Sequence, residues 1–181
     1  MQRSDLSGSR FVLAKLNGTN FSLSNIEGAD FTIAEADEAI FLGVSAIKAS
    51  FSGTKLNSAI FSNAILDEAF FSGAILNRAN FENAFLSNTV FVKAELVGAN
   101  FNGAMFEAKR ENPYSFKSVF DGAILFDANF SSSSGLTTAH FEGSVGDMSV
   151  KLPPAVPRPT TWAPKYLDSM ERIDAKYSEI K

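Results

Sequence analysis

The chain has 181 residues, a net charge of −4 and no cysteine, which allows one domain with a tail and excludes disulfides and thiolate metal sites. Apolar residues make up 45% of it, 18 of them phenylalanine, yet no apolar run approaches a membrane span. Residues 1–108 hold 11 acidic and 7 basic side chains and residues 109–181 hold 9 and 9, so there is no basic patch of the kind nucleic-acid binding needs. The start, Met1-Gln2-Arg3-Ser4-Asp5-Leu6, lacks the apolar stretch of a signal peptide, and a soluble cytoplasmic protein is expected.

From the N-terminus a large apolar residue recurs every five positions. The series runs Leu6, Phe11, Leu16, Phe21, Ile26, Phe31 and onward to Leu96, Phe101 and Phe106, through 21 consecutive blocks, with Ala36 and Ala46 as its two small members. Two positions before each centre stands a small residue, mostly Ala. A period of five is neither 3.6 nor 2, so neither an amphipathic helix nor a simple alternating strand can bury it. The centres also alternate, Phe with Leu or Ile. The blocks A-I-L-D-E, A-F-F-S-G and A-I-L-N-R that begin at Ala64, Ala69 and Ala74 resemble the pentapeptide-repeat family, whose blocks read A-(D/N)-L-x-x, and the resemblance extends over residues 4–143. It implies an all-β solenoid, a right-handed quadrilateral parallel β-helix. Four blocks then make one square coil, with centre and small residue inward and the other positions outward. On that geometry the alternation predicts two opposite walls of stacked Phe and two of Leu or Ile. Ala36 and Ala46 predict a thinly packed layer, partly filled by Val44.

Residues 107–118 break the period, and Asn112-Pro113 is a turn signal. The alternation resumes as Phe120, Leu125, Phe130, Leu136 and Phe141, which keeps the walls in order if the extra residues bulge at one corner. One further residue lies within Ser131–Gly135. The period is expected to end near Gly143, so the β-helix is placed at 1–143. Residues 144–163 are proline-rich and read as an extended capping tail. Its pattern G-D-x-S-x-x-L-P…R-P-x-x-W, Gly146 to Trp162, is similar to the tail of a group of bacterial pentapeptide-repeat proteins, and Trp162 is its expected anchor. In residues 164–181, Tyr166, Met170, Ile173, Tyr177 and Ile180 fall on one face of a predicted amphipathic helix, with Thr161 as N-cap. That stripe is expected to dock on its own rod or on a second copy. The repeats begin by Ser4 with no capping segment before them, which also fits a domain excised from a longer chain.

No catalytic constellation is present, and neither a cofactor nor a metal site is expected. His140 is the only histidine, has no motif partner and reads as a solvated side chain. Repeat glycines such as Gly43 and Gly103 sit where corners turn and form no phosphate loop. The residue before each centre points outward. At twenty-residue spacing, Ile65, Phe85 and Met105 would stack on one wall, and Phe70, Val90 and Val119 on the next, a contiguous apolar patch of the kind that marks interaction sites. The expected function is a non-enzymatic protein-interaction scaffold of unidentified partner, with a homodimer through the helix or the patch as one assembly, and with no direct contact to nucleic acid or membrane. The resemblance implies an alternative: an acidic DNA mimic that binds a type II topoisomerase, DNA gyrase, and protects it from quinolones. A charge of −4, evenly mixed, argues against a strong phosphate mimic.

Overall fold

The computed structural model describes residues 1–107 and 119–162. Each pentapeptide contributes one short bridge to a wall and one corner. Bridges are parallel and twenty residues apart, as in Asp5 with Asn25, Asn25 with Ser45 and Ser45 with Ile65, so successive coils stack in register along four walls. The corner is a four-residue turn closed by the small residue's N–H to the preceding centre's C=O, for example Ala29 to Ile26 at 3.0 Å. Through residues 1–107 the third turn residue has positive φ, as at Gly28 (62°), Ile33 (57°) and Glu38 (59°), which makes these type II turns.

The inward side chains form two continuous aromatic columns. On one wall Phe31, Phe51 and Phe71 stack at 4.9 and 4.8 Å; on the opposite wall Phe41, Phe61 and Phe81 stack at 4.7 and 5.0 Å. Across the rod the columns interlock edge to face, Phe51 with Phe61 at 5.5 Å and 83°. The opposed Phe walls expected from the alternation are therefore present, in geometries the ring quadrupole favours. A small residue is needed beside each ring because little space is left at that level, and Ala fills it most often. Where Thr54, Thr89 and Ser133 replace it, the buried hydroxyl donates to the carbonyl of Phe31, Leu66 and Phe101, at 2.7, 2.9 and 2.7 Å. Ala36, Ala46 and Val44 are all fully buried.

The expected corner loop falls on residues 108–118, outside the described residues; beyond them the walls keep their order. Phe120 stacks on Phe91 at 5.3 Å, Phe130 on Phe101 at 4.6 Å, and Glu95 bridges to Ile124. The extra residue sits at Gly135 (φ 76°), where an added Cβ would lie 2.5 Å from the backbone N of Glu107. Coil pairing does not stop near Gly143, however. Ile124 bridges to Val145 and Asn129 to Lys151, so Gly146 and Leu152 occupy centre positions of a last coil. This end was hidden because a glycine at a centre looks like no centre. The Trp162 ring takes the missing side chain's place, and a Cβ on Gly146 would lie 2.9 Å from it. Trp162 is buried, meets Phe141 edge to face at 5.6 Å and donates from Nε1 to Ser144 Oγ at 3.2 Å. Arg158 lies over the indole and donates to the carbonyls of Asp147 and Val150 at 2.6 and 2.9 Å. Asp147 accepts from the N–H and hydroxyl of Ser149, whose hydroxyl also accepts from Asp127 N–H. The G-D-x-S…R-P-x-x-W pattern is thus a lid on the core.

His140 is not simply solvated. It is partly buried in the one-turn 3-10 helix Thr138–Phe141, where its Nδ1 accepts from Thr137 N–H at 2.9 Å. Burial, partly opposed by the Thr137 backbone, holds its pKa below the ordinary 6.5. The native state then binds fewer protons here than the unfolded chain, so this contribution to stability is present above pH 6.5 and is lost as pH falls through the lowered native value. Thermal unfolding between neutral and mildly acidic pH should show a fall in midpoint that His140→Gln reduces; equal falls in both proteins would refute the assignment.

Candidate interaction surface

In most blocks the turn and the coil ladder together pair every backbone N–H except that of the residue after the centre. On rungs that carry Asp or Asn that donor is met locally two residues later: Asn20 accepts from Ser22 N–H at 2.8 Å, Asp30 from Thr32 at 3.0 Å, Asn80 from Glu82 at 3.0 Å and Asn100 from Asn102 at 3.1 Å. These Asx turns give the D/N position of the repeat its physical meaning. Hydrogen bonds from Thr32 keep the Asp30 carboxyl below the usual carboxylate range. Elsewhere the cap comes from the coil before, as when Asn17 and Asp37 accept from Asp37 N–H and Asn57 N–H. The sequence pattern shows the D/N preference but not which N–H it serves.

The apolar residues abandon this arrangement. Ile65, Phe85 and Met105 occupy consecutive rungs of one wall, with Ser45 before them and Ser134 after, and Phe70 and Val90 occupy adjoining rungs of the next wall after Ser50. Ile65 is 39% exposed and Phe70 and Phe85 are each 42% exposed, while Met105 and Val90 are partly covered. None of the five can cap the following N–H; at Ser87 the Asp67 carboxylate takes over at 3.1 Å. Val119 does not join them, since it is only 6% exposed. The rung beyond it is no flat pentapeptide but the 3-10 turn, whose His140 carbonyl accepts from Phe120 N–H at 3.1 Å, a local irregularity that counting in fives could not anticipate. Trp162 lies at the capped end, away from the patch rungs. Tyr166, Met170, Ile173, Tyr177 and Ile180 lie outside the described residues.

Sequence reasoning missed a second set of exposed apolar residues. Leu13, Leu23 and Ile33 stand at positive-φ corners (60°, 59° and 57°) and are 55–70% exposed. Ile33 and Leu23 lie over the glycine corners of the next coil, 3.4 and 3.0 Å from where Cβ atoms of Gly53 and Gly43 would be. A left-handed conformation costs a bulky residue about 1–2 kcal/mol. Ile33→Asn, with a residue that Asn63 and Asn83 show is accepted at such corners, should raise the urea midpoint by an amount equivalent to about 0.5–1 kcal/mol. A lowered midpoint would show that packing over Gly53 outweighs the strain.

The sequence profile described as Pentapeptide repeats (8 copies) matches residues 1–32, 24–63, 47–83, 61–91 and 74–107. The chain belongs to the pentapeptide-repeat family. Members fold as right-handed quadrilateral β-helices and are generally non-catalytic structural or interaction proteins. Among solved pentapeptide-repeat structures, trypsin-treated QnrB1, described as a plasmid-mediated fluoroquinolone resistance protein, is similar at 17% identity and a TM-score of 0.61, over 98% of this chain and 81% of that one. A pentapeptide-repeat protein of the Arabidopsis thaliana thylakoid lumen is 27% identical, with a TM-score of 0.47, over 66% and 79%. HetL of the cyanobacterium Nostoc, involved in heterocyst differentiation regulation, is 19% identical, with a TM-score of 0.30, over 86% and 84%. No curated protein sequence matches the chain.

Proposed function

We propose that this pentapeptide-repeat protein is a non-enzymatic scaffold that presents two adjoining walls, one bearing Ile65, Phe85 and Met105 and the other Phe70 and Val90, to a protein partner in the cytoplasm. One observation carries the reading. On these rungs the Asx acceptor, a hydrogen bond of about 0.5–1.5 kcal/mol, is replaced by large apolar side chains that point away from the core. Packing within the rod gains little from them in exchange, whereas a docked partner would. The reading is tested by affinity isolation from the native host with the wild-type chain, Phe70→Ser/Phe85→Ser and a control, Asn80→Ser, on a wall outside the patch. A partner kept by wild type and control and lost by the patch variant supports it; a partner set unchanged by the patch variant overturns it.

The alternative, an acidic mimic of duplex DNA that binds a type II topoisomerase, draws on likeness of fold alone. Against it, charges on one wall alternate as Lys15, Glu35 and Lys55, with Lys55 and Glu35 paired at 3.2 Å, so that wall carries no continuous acidic stripe. Protection of gyrase supercoiling from a fluoroquinolone by the purified chain would favour this alternative. The lid pattern from Gly146 to Trp162 fits a bacterial subgroup of the family, which supports trying gyrase first among topoisomerases.

A further inference from the structure

The apolar rungs leave backbone donors open as well as side chains. One wall carries Asp30, Ser50, Phe70 and Val90 on consecutive coils. Asp30 accepts from Thr32 N–H at 3.0 Å, and the Ser50 hydroxyl is bonded to those of Thr32 and Ser52. Phe70 and Val90 offer no acceptor, and among the described residues neither Ser72 N–H nor Val92 N–H has a hydrogen-bond partner. Thr32 shows where such a donor points: into the space beside the outward side chain two residues before it. The coils stack in register, so Ser72 and Val92 aim two parallel N–H groups, roughly 4.8 Å apart, at the outer surface of Phe70 and Val90.

A carboxylate set midway between them offers one oxygen to each donor, at N–H···O distances of roughly 2.9 Å. Charge favours an anion there. Lys93, the corner residue after Val92, is exposed and forms no ion pair among the described residues, whereas Lys48 and Lys55 are each paired with a glutamate. Asp121, at the same corner of the following coil, turns its carboxylate toward the Gly143 corner, away from both donors.

We infer that the partner's contact segment carries an Asp or Glu side chain set among apolar residues, its carboxylate accepting from Ser72 and Val92 N–H and its apolar neighbours lying on Phe70 and Val90. This rests on the scaffold reading and names what the partner must bring: the acceptor that the repeat omits on these rungs. Apolar contact alone selects weakly. Two fixed donors reject a segment without an acceptor, because docking would then leave them dry and unpaired.

Proline removes the donors without touching the apolar side chains. Ser72 and Val92 are the second residues of type II turns, closed by Gly73 and Lys93 at positive φ, and proline is favoured at that position. Two measurements decide. In the first, the isotope-labelled full chain is titrated by NMR at neutral pH with acetyl-Leu-Asp-Leu-amide and with the Asn counterpart. The expected result is a saturable downfield shift of the Ser72 and Val92 amide protons, with about tenfold or more tighter binding of the Asp peptide. Equal affinities, or shifts that spare these two amides, overturn the inference. In the second, the patch-dependent partner is bound to Ser72→Pro/Val92→Pro and to a control, Thr32→Pro, whose N–H already has the Asp30 acceptor. The double variant should bind about tenfold or more weakly and the control should match wild type. Equal binding by the double variant overturns the inference and leaves the scaffold reading standing. Carboxylate preference in the peptides with no patch-dependent partner sinks the scaffold reading alone.

Discussion

Phe61→Ala lowers the stability of the rod by about 3–5 kcal/mol in urea unfolding, the largest effect expected of any single substitution outside the lid. Phe61 is fully buried at mid-rod and stacks on Phe41 at 4.7 Å and Phe81 at 5.0 Å, with edge contacts to Phe51 and Phe71 at 5.5 Å each. Truncation removes a ring from one column and with it the edge contacts that ring makes to the other. The coils cannot close the gap, because their spacing is set by backbone ladders on all four walls, so the cavity persists and its cost adds to the lost transfer energy. A solenoid also transmits stability only between neighbouring coils, and a weakened middle interface uncouples the two halves. Phe85→Ser is the contrast: its side chain is 42% exposed and faces outward, and its substitution should shift stability by no more than about 0.5 kcal/mol. A loss below about 1 kcal/mol for Phe61→Ala would show that the columns fill space without holding the coils together.

Trp162→Ala comes next, with about 3–5 kcal/mol lost locally and the damage confined to the last coils. The indole fills the centre position that Gly146 leaves empty, closes the Phe141 column, donates to Ser144 and lies under Arg158. Without it the last inward layer meets water and Arg158 loses the surface that orients it toward the carbonyls of Asp147 and Val150. Hydrogen exchange should show lost protection at the Leu125 and Phe130 amides, which donate to Val145 and Lys151, while Phe51 and Phe61 stay protected. Uniform loss along the rod would mean the lid holds the entire solenoid; no loss would mean the coil stands without it. Gly146→Ala should reproduce a milder form, about 1–3 kcal/mol, because its Cβ would press on the ring.

The period of five, the alternation of Phe with Leu or Ile and the small residue beside each centre determined the coil, the stacking of walls and the outward set from which the patch was read. Those features are legible because every block repeats the same local rule, so Ile65 to Phe85 to Met105 follows from counting alone. What only the tertiary structure decided lies where that rule is broken by contacts distant in sequence. Counting in fives puts Val119 in the patch, but it is buried, since the next rung is a 3-10 turn. The sequence around His140 suggests a solvated side chain, but it accepts a hydrogen bond in that turn. The coil runs on to Lys151, because Trp162, sixteen residues beyond Gly146, supplies the side chain that Gly146 lacks. Glycine at a centre and a β-branched residue at a left-handed corner carry no signal in a single block. Their tolerance is set by what the neighbouring coil or the lid places beside them.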